Sequence, residues 1–287
     1  MNLVTIKQSI LTYTGYLRKA GIPEARLEAE LLLAHVLGLS RTQLHIRLET
    51  TVTQQQSRHL FKLIQRRLSH EPIAYIVGHK EFYGLVFYVN HNTLIPRPET
   101  ELLVDKAIEL ANSHSEVRLI ADIGTGSGAI AVATALHLPD IEIYAVDISP
   151  QALETAAMNC QIHKVTSRVH ILQGDLLQPL PKSVDLIIAN LPYISDPEMA
   201  KLENGIRLFE PNGALSGGTD GLEYIKRLLA QAKDTLRSNG VIMLEISPQQ
   251  QSAVEELALQ YFSECAIDII PDLNGHNRVA ILDTRSP

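Results

Sequence analysis

The stretch Val117-Arg118-Leu119-Ile120-Ala121-Asp122-Ile123-Gly124-Thr125-Gly126-Ser127-Gly128 decides the fold of this chain. Its apolar first half predicts a buried strand of a parallel sheet. Its glycines predict a tight turn into a helix that begins near Ala129. Because open α/β sheets bind ligands at the carboxyl ends of their strands, this turn is a candidate cofactor loop. Its candidate cofactor-binding residues are Asp122, Gly124, Thr125, Gly126, Ser127 and Gly128.

Strands and helices alternate from residue 117 onward, which is typical of a doubly wound parallel sheet. The expected strands are 117–122, 142–147, 168–173, 184–190 and 240–246. The tail differs, because segments 265–270 and 278–282 are joined by a turn-rich stretch. They predict an antiparallel hairpin at the edge of the sheet. The predicted fold class is therefore α/β, with a doubly wound sheet and a C-terminal hairpin.

The end of the second strand indicates an adenosine-containing cofactor. Asp147 stands where a carboxylate can accept hydrogen bonds from both ribose hydroxyls of an adenosine-containing cofactor. The segment from Gly124 to Ala129 also fits a loose dinucleotide fingerprint, so NAD and S-adenosylmethionine are both open at this point. A tight turn that binds nothing is a further interpretation, which Asp147 disfavours.

Three features favour S-adenosylmethionine, and the third is the segment at 190 that is described below. The carboxylate of Asp122, at the strand end, suits a cofactor that carries an ammonium group. After the third strand, Asp175 can accept a hydrogen bond from an adenine amino group, and Leu176 can cover the adenine ring. Asp175 equally suits the N-cap of a helix, so its role stays open.

A second motif, Asn190-Leu191-Pro192-Tyr193, follows the apolar run 184–189 and supplies the candidate catalytic residues. An amide or exocyclic amine nitrogen is a poor nucleophile because its lone pair is delocalised. The side-chain oxygen of Asn190 and the carbonyl of Leu191 can accept its two protons, since Pro192 keeps the preceding residue extended. Tyr193 offers an aromatic face to a planar group. The alternative is a proline-containing strand exit without a role. The neighbouring glycine loop instead favours methyl transfer to nitrogen, with Asn190 also beside the cofactor.

The first 70 residues show helical periodicity and no catalytic constellation. Helices are predicted near 6–17, 25–37, 41–47 and 53–69, and they form a small bundle. Such a bundle is either a structural cap or, as we favour, a module that recognises a partner. Its basic cluster alternates with apolar residues and predicts a solvated helix face. The cluster consists of Arg58, Lys62, Arg66 and Arg67.

Composition disfavours several classes of protein. The formal net charge is −7, which argues against a nucleic-acid substrate. No apolar run approaches the roughly 20 residues of a membrane-spanning helix, and residues 1–10 lack the core of a secretory signal. The 2 cysteines argue against a disulfide framework or a zinc site, and the histidines are scattered, so no metal is expected. A cytoplasmic protein is the expectation.

The chain resembles, along nearly its full length, the protein-(glutamine-N5) methyltransferases that modify peptide chain release factors. The family pattern Asn-Pro-Pro-Tyr corresponds to Asn190-Leu191-Pro192-Tyr193. The string Pro96-Arg97-Pro98-Glu99-Thr100-Glu101 is the most specific further match. The other matching segments are 71–78, 81–84, Asp122 to Gly128, Glu210-Pro211, Ala214-Leu215 and 220–222.

The resemblance implies a class I S-adenosylmethionine-dependent methyltransferase fold and an N-terminal helical domain that helps to grip the release factor. The implied domains are a helical substrate-recognition domain at 1–75, a β-hairpin linker at 76–98 and a Rossmann-like methyltransferase domain at 99–287. The implied substrate is the glutamine of a Gly-Gly-Gln loop, and a monomer is expected. Leu191 departs from the family proline, which removes some rigidity but leaves the backbone carbonyl in place.

Three other functions remain as alternatives. A DNA or RNA amino-methyltransferase uses similar chemistry on adenine N6, but the acidic charge argues against it. A catalytically silent scaffold that binds the cofactor is disfavoured by the intact Asn190 and Tyr193. An NAD-dependent dehydrogenase is the most distant, because the sequence lacks a persuasive hydride-transfer constellation.

Overall fold

The computed structural model describes residues 4–285. The pattern of contacts divides the chain into two units. The first unit ends at Gly78 and also includes Glu203–Phe209. The second unit comprises His79–Leu202 and the chain from Glu210 onward.

The helices and strands follow one another along both units. The α-helices are α1 Ile6–Lys19, α2 Ala25–Leu37, α3 Arg41–Ile46, α4 Gln54–Leu68, α5 Ile73–Val77, α6 Glu101–Ser113, α7 Ala129–His137, α8 Pro150–Ile162, α9 Asp196–Met199, α10 Asn204–Phe209, α11 Glu223–Thr235 and α12 Gln251–Tyr261. The strands are β1 Val4–Thr5, β2 Thr51–Val52, β3 His79–Phe82, β4 Leu85–Tyr88, β5 Leu119–Ile123, β6 Glu142–Asp147, β7 Val169–Gln173, β8 Val184–Ala189, β9 Leu236–Glu245, β10 Ala266–Pro271 and β11 Asn277–Asp283.

The first unit is helical, as the sequence predicts. Gly38 ends α2 in the left-handed conformation with φ of 63°, and capping boxes at Ser40 and Thr53 begin α3 and α4. Apolar faces of α1, α2 and α4 pack into one core that includes Leu17, Leu33, Leu60 and Ile64, among other buried residues.

The predicted solvated basic face of α4 is partly wrong. Arg67 Nε donates to Glu28 Oε2 at 2.5 Å, and only 15% of the Arg67 side chain is exposed. Arg66 pairs with Glu71 in the same way, while Arg58 and Lys62 are exposed. The helical periodicity could not reveal this pairing, because Glu28 lies 39 residues earlier in the chain.

The second unit is built on one seven-stranded sheet with the order β10-β11-β9-β8-β5-β6-β7. The five strands from β9 to β7 are parallel, and β10 and β11 form an antiparallel hairpin at the edge. Alternate residues of β5 face opposite cores: Ile120 packs with α6 and α7, whereas Ala121 and Ile123 pack with α11 and α12. The predicted doubly wound sheet with its C-terminal hairpin is confirmed.

The hairpin of β3 and β4 belongs to the second unit. Its turn residues Tyr83 and Gly84 have positive φ angles, as a tight hairpin requires. Its Phe82 and Phe87 are buried in the core of the sheet. The domain boundaries at 75 and 98 stay predictions.

Candidate active site

The glycine loop leaves β5 and turns into α7 through three left-handed glycines. The φ angles are +72° at Gly124, +56° at Gly126 and +78° at Gly128, a region that L-residues avoid. Space is short as well: a Cβ on Gly124 would lie 3.3 Å from Leu191 Cδ2, and one on Gly128 would lie 3.2 Å from Ala156 Cα. The N–H groups of Gly124 and Thr125 both donate to the carbonyl of Val146 at 2.9 Å, which ties the loop to β6.

Asp147 joins the end of β6 to the glycine loop. Its Oδ2 accepts from the backbone of Gly126 at 2.9 Å, and its Oδ1 accepts from the backbone of Ser149 at 2.9 Å. Burial raises the pKa of Asp147, against backbone hydrogen bonds that lower it. Each oxygen keeps a second lone pair, so the carboxylate can still accept from ribose hydroxyls.

Asp122 supports the glycine loop from the end of β5. It is fully buried, and its Oδ2 accepts from Thr125 Oγ1 at 2.6 Å and from the backbone of Ala131 at 3.1 Å. Burial raises its pKa to about 7. Its contacts hold the loop and the first turn of α7 together, and direct contact with a cofactor ammonium group stays a prediction.

Asn159 supports the loop from α8, a role that sequence reasoning missed. Its Nδ2 donates to the carbonyl of Ser127 at 2.8 Å and to the carbonyl of Tyr88 at 2.9 Å. Its Oδ1 accepts from the backbone of Tyr88 at 2.8 Å. No local pattern could have identified it, because these partners lie in distant segments.

Asp175 and Leu176 follow β7 in a turn. Asp175 pairs with Arg227 and accepts from Gln178 Nε2 at 3.3 Å. Leu176 is buried, with an unusual φ of 53°. The N-cap interpretation of Asp175 is wrong, since the chain between this residue and β8 forms turns and no helix.

Asn190 leaves the end of β8 and meets two side chains from other elements. Its Nδ2 donates to Thr100 Oγ1 and to Glu245 Oε2, each at 3.0 Å. Thr100 Oγ1 in turn donates to Glu245 Oε2 at 2.6 Å. Tyr193 Oη donates to Glu245 Oε1 at 3.3 Å, so Glu245 receives hydrogen bonds on both oxygens.

Glu245 and Thr100 were not selected as site residues from the sequence. Glu245 ends β9, and it is 3% exposed. Burial raises the pKa of its carboxyl, against lowering by Thr100, Arg278 and Tyr193. A polar residue at the carboxyl end of an apolar parallel strand is the signal that identified Asn190, and the same signal would have selected Glu245.

One cavity of about 300 Å³ gathers most of the predicted residues. The predicted residues that line it are Gly124, Thr125, Gly126, Ser127, Asp147, Asp175, Leu176, Asn190, Leu191 and Pro192. Asp122, Gly128 and Tyr193 are not among the lining residues. The cavity therefore brings the glycine loop and the Asn190 motif to one place, with Tyr193 behind the wall beside Glu245.

The proline-rich loop forms another part of the cavity wall. Pro96 and Arg97 line it together with Pro211. Arg97 Nη2 donates to Glu210 Oε1 at 2.5 Å, and Glu210 Oε2 accepts from the backbone of Ile95 at 3.2 Å. Since Glu210 is buried, this pair fastens the loop to the segment around Pro211.

The residues fit an adenosine-containing cofactor. Glycines at 124 and 126 let backbone approach a ligand, and Asp147 and Leu176 stand at the same wall. Within residues 4–285, no group of three or more His, Cys, Asp or Glu residues is arranged to hold a metal ion. Across that range, too, no helix has the length and apolar character needed to cross a membrane.

Comparisons with known proteins agree with this geometry. Residues 10–78 match the family described as PrmC N-terminal domain, and residues 99–215 match the Methyltransferase small domain. A release factor glutamine methyltransferase of Rhodopirellula baltica is 40% identical over 280 residues, which cover 96% of this chain and 95% of that protein. The protein of that name from Bacillus subtilis is 36% identical, covering 96% of each. A methyltransferase structure from Pyrococcus furiosus, 17% identical, has a TM-score of 0.53 and covers 82% of this chain and 100% of its own. That likeness shows the fold.

Proposed function

We propose, because the chain belongs to the release factor glutamine methyltransferase family, that it methylates a glutamine side chain of a peptide chain release factor. The observation that carries the proposal is the shared cavity. Gly124 and Asn190 both line it, at the carboxyl ends of the adjacent strands β5 and β8. A cofactor loop and an amide-binding motif are thus close enough to serve one reaction.

The proposed cofactor is S-adenosylmethionine, which supplies a methyl group on a positively charged sulfur. The glycine loop at 124–128 would hold it through backbone contacts. Asp147 would accept from the ribose hydroxyls, and Asp175 and Leu176 would contact the adenine. Asp122 would hold the loop in place, and a contact between its carboxylate and the cofactor ammonium group is part of the proposal.

The proposed role of Asn190 and Leu191 is to orient the glutamine amide. The Oδ1 atom of Asn190 and the carbonyl of Leu191 accept one N–H each, which aims the nitrogen lone pair at the methyl group. The new bond joins the methyl carbon to the nitrogen, the bond from methyl carbon to sulfur breaks, and one N–H proton leaves to solvent. The rate comes mainly from orientation in a preorganised polar site. Pro192 and Tyr193 shape this pocket.

The finer assignments belong to the same proposal. The target is the glutamine of a Gly-Gly-Gln loop, modified at N5. The helical domain at 1–75 helps to grip the release factor, the segment at 76–98 connects it, and residues 99–287 carry the reaction. The enzyme works as a monomer in the cytoplasm, where release factors act, and it uses no nucleic-acid substrate.

The proposal is tested by mass spectrometry of purified release factor after incubation with the protein and S-adenosylmethionine. The expected result is one added methyl group, mapped to the glutamine of the Gly-Gly-Gln loop. A release factor in which that glutamine is replaced by alanine is the control and gains no methyl group. Unmodified release factor, from protein that calorimetry has shown to bind the cofactor, would overturn the proposed substrate.

A further inference from the structure

The side chains of Thr100 and Glu245 come from two other elements and hold the Asn190 amide in one orientation. Thr100 stands just before α6, Asn190 just after β8 and Glu245 at the end of β9. Glu245 and Thr100 are buried, so water does not compete for the hydrogen bonds between them. The three side chains form a closed triangle with sides of 2.6, 3.0 and 3.0 Å.

With Glu245 ionised, donor and acceptor counting fixes the direction of each bond. An ionised Glu245 only accepts. The Thr100 hydroxyl gives its one proton to Glu245 and can then only accept from Asn190. Both partners can therefore only accept from Asn190. The hydrogen-bond network thus assigns the Nδ2 atom of Asn190, and not its Oδ1 atom, to the position that faces Thr100 and Glu245.

The opposite atom of the same amide is left for the cavity. Within residues 4–285, the side-chain hydrogen bonds of Asn190 run through Nδ2. Asn190 lines the cavity, and its Oδ1 is not among the atoms that are buried without a hydrogen-bond partner. This oxygen is therefore accessible from the cavity. The amide thus presents an acceptor, as a substrate NH₂ group needs. If the amide were flipped, the NH₂ group of Asn190 would face the NH₂ group of the substrate, and both groups are donors.

We propose that Glu245 and Thr100 are positioning residues that lock the Asn190 side chain with Oδ1 toward the substrate nitrogen. This inference rests on the proposed function. Glu245 contributes the fixed acceptor. Thr100, whose hydroxyl proton is given to Glu245, contributes a second acceptor beside it for the same NH₂ group of Asn190. Tyr193, which donates to the other oxygen of Glu245, keeps the carboxylate from rotating.

A double-mutant cycle between positions 245 and 190 tests the positioning role. We expect Glu245→Leu to lower the rate constant of methyl transfer about 100-fold, because misplaced reacting groups cost about that much. If Glu245 acts through Asn190, the same change in an Asn190→Ala background lowers the rate by less than about threefold. Equal losses in both backgrounds, or no loss in the native background, would overturn the inference. Cofactor affinity, measured by calorimetry, confirms that each variant folds.

Position 100 offers a matched pair of variants. Thr100→Ser keeps the hydroxyl and is expected to retain activity within about threefold. Thr100→Val keeps the shape but loses the hydroxyl that joins Glu245 to Asn190, so activity is expected to fall about tenfold. A structural role for Thr100 would affect the Ser variant, which loses a methyl group, at least as strongly as the Val variant. That outcome would overturn the positioning role of the Thr100 hydroxyl.

A measurement that needs no turnover separates this inference from the proposed function. In nitrogen-15 NMR spectra, the side-chain NH₂ signal of Asn190 is identified by its loss in Asn190→Ala. We expect the NH₂ proton that points to Thr100 and Glu245 to be protected from solvent exchange in the native protein and unprotected in Glu245→Leu. Rapid exchange in the native protein would overturn the lock even if release factor is methylated. Protection without methylation would overturn the proposed function alone.

Discussion

The glycine loop and the Asn190 motif face one cavity but are built in different ways. The loop is shaped by backbone: three left-handed glycines and N–H groups bound to Val146 and Asp147 fix its path. The Asn190 motif is shaped by side chains, since Asn190 is held by Thr100 and Glu245 from two other elements. A site formed by the backbone is determined by consecutive residues, as in the glycine loop. The orientation of Asn190 instead depends on Thr100 and Glu245, which lie 90 and 55 residues away in the sequence.

This difference assigns separate tasks to the two regions. Backbone N–H groups and glycines suit a ligand that must lie against the main chain. An oriented side-chain acceptor suits a substrate group whose lone pair must be aimed. Substitutions in the glycine loop should therefore weaken cofactor affinity. Substitutions in the Asn190 motif should slow methyl transfer and leave cofactor affinity unchanged.

The largest effect is expected for Asn190→Ala. Loss of the acceptor leaves the substrate amide unaligned, and we expect kcat to fall by about 10³-fold, as when one preorganised polar group is removed from an active site. Cofactor affinity by calorimetry should stay within about twofold of the native value. Asn274→Ala, in the exposed turn before β11, is the matched control and should leave both quantities unchanged. Unchanged turnover in Asn190→Ala would remove Asn190 from the reaction.

The next effect is expected for Asp147→Ala, and it should appear in affinity. Losing hydrogen bonds to a carboxylate, together with the anchor of Gly126, should raise the Kd for S-adenosylmethionine roughly 10- to 100-fold. Asp185→Ala is a fitting contrast, because Asp185 also accepts from two backbone N–H groups, those of Arg118 and Leu119. That variant should lose stability without losing affinity. Calorimetry showing equal Kd for Asp147→Ala and native protein would exclude the ribose role.

A smaller loss of affinity is expected for Gly124→Ala. The new Cβ would lie 3.3 Å from Leu191 Cδ2, so the Leu191 side chain has to give way slightly, and a φ of +72° strains any L-residue at this position. We expect a Kd about tenfold higher and a cost of about 1–2 kcal/mol in the free energy of unfolding. Gly275→Ala has a similar φ of +80° with open space around it, so it should show the stability cost alone. If both variants bind cofactor equally well, the close approach at Gly124 has no functional importance.

The same division explains how far the sequence could predict the molecule. The strands, the glycine loop and Asp147 follow from local patterns, because buried strands and glycine turns are specified by neighbouring residues. Thr100 and Asn159 matter through contacts between distant segments, so periodicity could not reveal their roles. The strand-end position could select Glu245 as a candidate, but not its contacts with Asn190 and Thr100. The exclusion of Asp122 from the cavity lining is of this kind as well, since the direction of one side chain at a strand end depends on the packing of α7.

A pH dependence should separate the motif from the loop further. Burial raises the pKa of Glu245. The charged groups around it are Arg278 and Glu99, and the neutral hydroxyls of Thr100 and Tyr193 donate to it. Protonation makes Glu245 a donor and weakens its hold on the NH₂ group of Asn190, so transfer should fall as the pH falls through that raised pKa. We expect a partial loss of about fivefold, since the protonated carboxyl still has one accepting oxygen.

The control for this pH limb is Glu245→Gln, which keeps an accepting oxygen and cannot titrate. Profiles of kcat against pH should show the acid limb in the native enzyme and a flatter profile in the variant. An identical limb in both proteins would assign it to another group, with the release factor itself as the first candidate.

The smallest effect is expected where the two regions touch, in Leu191→Pro. The change restores the family pattern and retains the carbonyl that accepts from the substrate, so transfer should change by less than about threefold. The Leu191 side chain is buried against the loop at Gly124, and its loss should cost about 1–2 kcal/mol in the free energy of unfolding. Transfer rates and denaturant titrations distinguish the two quantities. A large loss of transfer at unchanged stability would show that the leucine side chain, rather than the backbone at 191, aligns the substrate.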